Sequence, residues 1–236
     1  MNNLKMINPD TNSKCFSRIR RMRVRGERLD IFINTKEGEE VGAHVIVLSA
    51  SFPVFGEYLN GSDVVHLQWP KFPHEVVNAA VEYAYGGIEN ISPEIALRLY
   101  LLARNLQNKA LEDGCTRFLC ARIDETNVRK IWSVANATKN EVLIRVCAPQ
   151  VAMNWNKFRT FRHFHVDTEI KGMMNLLGCP QMARESAKSK VEALIRWRNA
   201  SRDDEERTAR TNAFRDMVSL LRIQDTPELI TDLFVK

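Results

Sequence analysis

Apolar residues in the first hundred positions come in short blocks whose period keeps changing. Leu29, Ile31, Phe32 and Ile33 make a brief apolar strand, the acidic, glycine-bearing stretch from Lys36 to Glu40 turns the chain, and a second strand ends at Ala43. That is the pattern of a hairpin at the start of a domain. From His44 the period becomes helical, with Val45, Val47 and Leu48 inward. Ser49 and Ser51 then lead to Pro53, which suits the first turn of a new helix carrying Val54, Phe55, Tyr58 and Leu59 and stopped by Asn60-Gly61-Ser62. Val64, Val65 and Leu67 form a third strand. Pro70 and Pro73 punctuate, and Val76, Val77, Ala80, Val81 and Ala84 recur at helical spacing up to Gly86-Gly87. Short strands and helices in alternation predict a small core built from both.

The second half reads as helix almost throughout. Ser92-Pro93-Glu94 supplies a cap and first turn ahead of Ile95, Leu99, Leu102 and Leu106 at three-to-four spacing. Helix-sized blocks follow: Ile131, Val134 and Ala135; then Val142, Leu143 and Val146; then Val151 and Trp155. Met173, Met174, Leu176 and Leu177 make a short block closed by Gly178-Cys179-Pro180. Val191, Leu194, Ile195 and Trp197, then Phe214, Met217, Val218 and Leu221, predict the last two substantial helices. Methionines and aromatics at these spacings are core residues rather than a cofactor box. The charged run from Arg202 to Arg207 is read as a solvated loop between helices with local ion pairs.

Composition places the chain among ordinary globular proteins. Its 236 residues are 44% hydrophobic and 27% charged, enough for two modest domains with real cores. No segment reaches the roughly 18 uninterrupted apolar residues of a membrane helix, and MNNLKMINPD lacks the apolar stretch of a signal peptide, so cytosol or nucleus is expected. Cys15, Cys115, Cys120, Cys147 and Cys179 are widely spaced, without a CxxC pair or a histidine at zinc-finger distance, and are read as reduced, mostly buried thiols.

The net charge of +5 is concentrated in Arg18, Arg20, Arg21, Arg23, Arg25 and Arg28, opposed locally by Glu27. Clustered arginines neutralise phosphates, but no aromatics interleave with these to stack bases, and nucleic-acid binding is not expected. Phe16, Ile19, Met22 and Arg23 instead recur at helical spacing, which makes an amphipathic helix with an apolar face in need of a partner and arginines on its wet side. Catalysis finds no support. GxSxG, HExxH, a phosphate-binding glycine loop and a paired-carboxylate signature are all missing, and His163 and His165, two apart around Phe164, point to different sides of a helix. His44, opening an apolar helix, is read as structural. No enzyme activity, metal or cofactor is expected.

The stretch from Leu29 to Gly87 resembles the BTB (POZ) domain. Family members show an aspartate opening the first strand, here Asp30; an Ala-His pair before a Val-Leu helix, here Ala43, His44, Val47 and Leu48; a Ser-x-Pro-x-Phe turn, here Ser51, Pro53 and Phe55; and a Tyr-x-Gly close, here Tyr85 and Gly87. Downstream, Leu101, Leu102, Ala103, Leu106, Gln107, Leu111, Cys115, Phe118 and Leu119 look like the helical extension that joins BTB to a BACK domain. Asn127 to Ala135, Asn154-Trp155, and Glu192-Ala193-Leu194 with Trp197 and Arg207 look like the BACK helices. The resemblance implies an α+β BTB domain over residues 16–122, an all-α BACK domain over 123–236, and a flexible segment over 1–15.

It also implies a binding function. BTB domains of this type pair through the helix before the first strand, so homodimerisation through Ile19, Met22, Val24 and Asp30 is expected. BTB-BACK proteins of the kelch-like family commonly serve as substrate adaptors of cullin-3 ubiquitin ligases, and Phe55, Tyr58, Leu59 and Tyr85 are expected nearest the family's cullin groove. Three features depart from the family. The loop from Asn60 to Val65 reads NGSDVV, with no hydrophobic-x-Glu motif; Val45 stands where relatives carry Arg or Lys facing the strand aspartate, so Asp30 is expected to find another cation, such as Arg28, or to stay wet. No repeat of about 50 residues with paired glycines is present, and after Leu229–Lys236 a kelch propeller would be expected. The missing glutamate favours a non-ligase scaffold or a regulator of full-length adaptors; the BACK-like helices favour the adaptor.

Overall fold

The computed structural model describes residues 10–59 and 63–221. The expected breaker at residues 60–62, the first nine positions of the N-terminal segment, and the close at Leu229 to Lys236 lie outside the described residues. The chain divides into two compact units, Met1–Leu119 and Cys120–Lys236.

The first unit is built on three short strands. β1 (Ile31–Asn34) pairs antiparallel with β2 (Glu40–Ala43), setting Ile31 opposite Ala43, and parallel with β3 (Val65–Gln68), setting Ile31 opposite Val65. Alternation puts Ile31 and Ile33 wholly inside. Gly42 allows this hairpin to close, because a β-carbon there would lie 2.6 Å from a methyl of Leu29 and 3.3 Å from the Phe32 ring.

Helices wrap the sheet. α1 (Asp10–Val24) precedes it, starting earlier than the apolar spacing from Phe16 suggests, and α2 (Val45–Ser51) follows the hairpin. Phe52, held extended by the proline after it, ends α2 and starts a 3₁₀ turn over Pro53–Tyr58. α3 (His74–Ala84) buries Val76, Val77, Ala80 and Val81, and α4 (Pro93–Asn105) opens with Ser92 accepting from the Ile95 amide at 3.2 Å. α5 (Lys109–Cys120) is tied back through Asn108, which donates to the Ser51 carbonyl at 2.7 Å and accepts from the Leu111 amide at 2.8 Å.

The second unit is helical throughout its described residues: α6 (Val128–Ala137), α7 (Glu141–Met153), α8 (Trp155–Phe158), α9 (Arg162–Asp167), α10 (Ile170–Leu177), a 3₁₀ turn at Pro180–Arg184, α11 (Ala187–Asn199) and α12 (Asp204–Leu220). Three buried tryptophans hold it, and each indole N–H finds an acceptor: Trp132 on the Thr168 hydroxyl at 2.9 Å, Trp197 on the Thr168 carbonyl at 2.8 Å, Trp155 on the Ser189 hydroxyl at 2.7 Å. Gly172 lets α10 lie against Asn136 of α6, whose amide would collide with any β-carbon there.

Two readings of the sequence need correction. In α7 the buried row is Leu143, Ile144, Cys147, Ala148 and Val151, while Val142 and Val146 face water. The run at Arg202 to Arg207 is the start of α12 rather than a loop. Asp203 accepts from the Glu206 amide at 2.7 Å, and the Glu206 carboxylate accepts from the Arg202 amide at 2.6 Å, so a reciprocal cap starts a helix in a run that remains largely exposed.

Arg210 of α12 is almost wholly buried. Its guanidinium lies 5.0 Å from the centre of the Trp197 ring and donates to the carbonyls of Trp197 (2.6 Å), His165 (2.8 Å) and Val166 (3.0 Å), with Glu206 at 2.7 Å. One planar fork thus satisfies carbonyls at the ends of α9 and α11. Arg210→Leu should take from those carbonyls their shared donor and from Glu206 its buried cation, and lower the unfolding free energy by about 3 kcal/mol. Urea titration followed by tryptophan fluorescence in a Trp69→Phe background, which reports the second unit, checks this; an unmoved midpoint contradicts the anchoring role.

Burial also grades the thiols. It pushes Cys115 and Cys147 up to about 12, whereas Cys15 is exposed. At about pH 8 a thiol reagent should label Cys15 quickly and reach Cys115 and Cys147 only after unfolding, since the thiolate is the nucleophile. Equal native rates at all three would contradict the packing.

Candidate interaction surfaces

Two places in the first unit combine apolar side chains with access to solvent. The first is α1. Its fixed side is held by Arg23, whose side chain is only 10% exposed and whose guanidinium pairs with Glu82, donates to Asn78 Oδ1 at 2.7 Å and, through Nε, to the Gly42 carbonyl at 3.0 Å. The same guanidinium lies 5.4 Å from the centre of the Tyr85 ring, and Arg20 adds a second contact to Glu82 at 3.1 Å. Ile19 and Met22 are half-buried beside this anchor; Phe16 is exposed, and Val24 is 76% exposed. The arginine helix is therefore not wet on all its charged positions, because Arg23 is the group that docks it.

Beneath Arg23 runs a buried hydrogen-bond chain. The Tyr85 hydroxyl accepts from the His44 amide at 2.8 Å and lies 2.6 Å from His44 Nδ1, while His44 Nε2 lies 3.0 Å from the Glu27 carbonyl. A carbonyl can only accept, so Nε2 carries a proton; in the neutral ring Nδ1 is then the acceptor and the phenol donates to it. Burial raises the Tyr85 phenol to about 12, so it holds the proton this chain needs. His44 is structural, as its place before an apolar helix predicts.

Asp30 is only partly buried and has no ion-pair partner among the described residues. Its Oδ1 accepts from the Val45 amide at 2.6 Å, capping α2 from the position just before β1, which corrects the expectation of an arginine partner. Of the four residues expected at a dimer contact, Val24 is open, Ile19 and Met22 are half-buried, and Asp30 is committed to this cap.

The second place is an apolar cleft of about 430 Å³ between the 3₁₀ turn, the end of β3 with the Trp69–Phe72 turn, and the C-terminal end of α4. Phe55 forms its floor, 6.0 Å from Trp69 and 6.3 Å from Tyr58 between ring centres; Leu67, Phe72, Leu102 and Leu106 complete the walls. Tyr58 is half-buried at the rim, where a hydrogen bond to the neighbouring Glu57 carboxylate raises its phenol above the usual value. Leu59 beside it is 46% exposed.

The structure thus separates the four residues expected at a cullin groove. Phe55 and Tyr58 line the cleft, and Leu59 follows them. Tyr85 does not join them: it is 2% exposed and belongs to the chain under α1, while Phe55, equally buried, supports the cleft from below. Contact surface was the wrong reading of Tyr85, because a ring satisfied by His44 and covered by Arg23 has nothing left to offer a partner. Trp69, Phe72, Leu102 and Leu106 also line the cleft without a signal in the spacing; Trp69 and Phe72 each directly precede a proline, Pro70 and Pro73, and that stretch reads as punctuation. Among the described residues, no helix is long and apolar enough to cross a membrane, and no cluster of three His, Cys, Asp or Glu side chains could hold a metal ion.

A family model for the BTB/POZ domain matches residues 19–123. The chain is 23% identical over 163 residues to human Kelch repeat and BTB domain-containing protein 7, covering 66% of this chain and 24% of that one. It is 22% identical over 194 residues to human Kelch-like protein 17, covering 77% and 29%, and 28% identical over 147 residues to human Zinc finger and BTB domain-containing protein 37, covering 59% and 28%. The chain spans about a quarter of the length of these relatives. With a mixed three-stranded sheet clasped by helices, Asp30 capping α2, Pro53 opening the 3₁₀ turn and His44 bonded to Tyr85, the first unit is a BTB/POZ domain, a protein-interaction module.

Proposed function

We propose that this protein is a homodimeric BTB-BACK module that serves as a substrate adaptor for a cullin-3 ubiquitin ligase, the α-helical second unit being the BACK domain. The observation that carries the reading is the aromatic-floored cleft with Tyr58 and Leu59 at its rim. An open apolar site built on a rigid core, with an aromatic anchor at its edge, is how a few residues come to supply most of the binding energy at an interface. Kelch-named relatives support the adaptor class.

The dimer would form on the open side of α1, through Val24 and the half-buried Ile19 and Met22, with exposed Phe16 added to the set. Arg23 and Glu82 hold that side in position. A second reading, a dimerising scaffold outside the ligase or a regulator of full-length kelch-like adaptors, is favoured by one sequence feature, the NGSDVV loop without glutamate.

Titration calorimetry with the N-terminal domain of cullin-3 separates the two. The adaptor reading expects sub-micromolar binding that Tyr58→Ala or Leu59→Ala each weakens by about tenfold or more, the loss of one interface hot spot. No heat from a well-folded dimer would leave the scaffold.

Light scattering tests the dimer separately. The wild-type chain should run at twice its monomer mass and Met22→Glu at the monomer mass. Arg23→Ala, which leaves Glu82 without its closest cation, should destabilise the first unit by roughly 2–3 kcal/mol and loosen the dimer with it. A monomeric wild type at high concentration would sink the homodimer.

A further inference from the structure

A depression between α9 and α11 in the second unit carries arginines but no acidic side chain. It measures about 450 Å³ and is lined by Thr160, Arg162, His165, Arg196, Asn199 and Ser201, without a carboxylate. Acidic groups on the surrounding elements are committed elsewhere: Glu192 to Arg159 at 3.8 Å, Glu206 to Arg210 at 2.7 Å, and Asp167 to the Ser133 hydroxyl at 2.7 Å and Arg202 at 3.9 Å. Arg162 has no ion-pair partner among the described residues, and the bond recorded for Arg196 is a 3.3 Å donation to the Arg159 carbonyl. Two cations therefore face one cleft with no counter-charge supplied by the fold.

His165 adds an independent sign of a missing ligand. The residue is 4% exposed, and its Nε2 lies 2.9 Å from the Arg159 carbonyl, which fixes the proton on Nε2. Nδ1 is then a bare acceptor, buried and without a partner among the described residues. A lone pair left so is rare in a native fold and calls for a donor. Burial first, then the guanidinium groups of Arg196 and Arg210, hold the ring below the usual histidine pKa against the Arg159 hydrogen bond, so the fold by itself keeps Nδ1 bare.

We propose that this cleft is a binding site for a tetrahedral oxyanion of the phosphate type, held by Arg162 and Arg196 and sharing one proton with His165 Nδ1. A phosphate oxygen carrying that proton donates to Nδ1, or the ring carries it and donates to the oxygen; both forms satisfy the same buried atom. The Thr160 hydroxyl is spent on the Lys157 carbonyl at 2.7 Å, but the Ser201 hydroxyl and the Asn199 amide line the same cleft and add donors to the two guanidinium groups, a set that suits the several oxygens of a phosphate group. The phosphate can belong to a free small anion or to a phosphorylated side chain of a bound protein segment.

The test titrates the full chain with inorganic phosphate at constant ionic strength, following the histidine ring nitrogens by NMR, with the His165 signals assigned from their loss in His165→Gln. The site expects a saturable shift at His165 and none at exposed His163, weakened about tenfold by Arg162→Gln or Arg196→Gln, the loss of one charge-assisted hydrogen bond. Arg162→Gln decides, since Arg162 is exposed and makes no bond the fold needs. A shift that never saturates, or one that Arg162→Gln leaves at full affinity, overturns the proposal. A phosphothreonine peptide that binds more tightly than inorganic phosphate names a modified protein segment as the source, and equal affinity names a free anion. Equal binding by the unphosphorylated peptide would refute the oxyanion site.

Discussion

The BTB/POZ unit depends on one buried polar knot. Tyr85, at the end of α3, reaches His44 at the start of α2; His44 reaches the Glu27 carbonyl in the turn after α1; and Arg23 of α1 lies over the Tyr85 ring while pairing with Glu82. Four segments meet there, and none could leave without exposing a charge or stranding a buried donor. Hydrophobic burial of Ile31, Ile33, Leu48 and Val77 makes the core, but it is indifferent to direction. The knot fixes where α1 lies, and with it which of that helix's apolar residues remain available.

The second unit solves a similar problem with different means. Its helices end against one another, and helix ends leave carbonyls unpaired. Arg210 meets those of α9 and α11 with a single fork, and Thr168 receives indole N–H groups from two tryptophans, one on its hydroxyl and one on its carbonyl. Polar groups inside this unit are thus nearly all matched, which makes the unmatched Nδ1 of His165 beside two uncompensated arginines conspicuous. The chemistry inferred for that cleft comes from this mismatch and from no sequence motif.

Much of the cleft in the BTB unit was legible, and some was not. Phe55, Tyr58 and Leu59 could be found because Pro53 marks a helix start and their spacing continues from it. Trp69 and Phe72 lie in an aperiodic turn, each just ahead of a proline, and Leu102 and Leu106 sit at the far end of a helix tens of residues away; no local period links these groups. For Tyr85 the family resemblance points to the groove, and its place before a glycine pair fits a rim as well as a core. His44, forty-one residues away, decides the matter by taking its hydroxyl.

Local pattern is enough for most elements and for the BTB/POZ fold of the first unit: alternating and helical periods set the strands and helices, and the Asp30, Ala43-His44, Pro53 and Tyr85 positions mark the fold, since backbone period and turn chemistry are local properties. Tertiary structure alone decided the partners. Arg23 falls on the spacing of Phe16, Ile19 and Met22, but nothing local supplies the Glu82 and Tyr85 it meets; Asp30 reads as an unpaired acid until the Val45 amide meets it, and Arg202 to Arg207 read as a loop until Asp203 and Glu206 cap α12. A charged side chain's environment is fixed by what the fold brings within about 4 Å of it, and that distance is not written in the spacing along the chain.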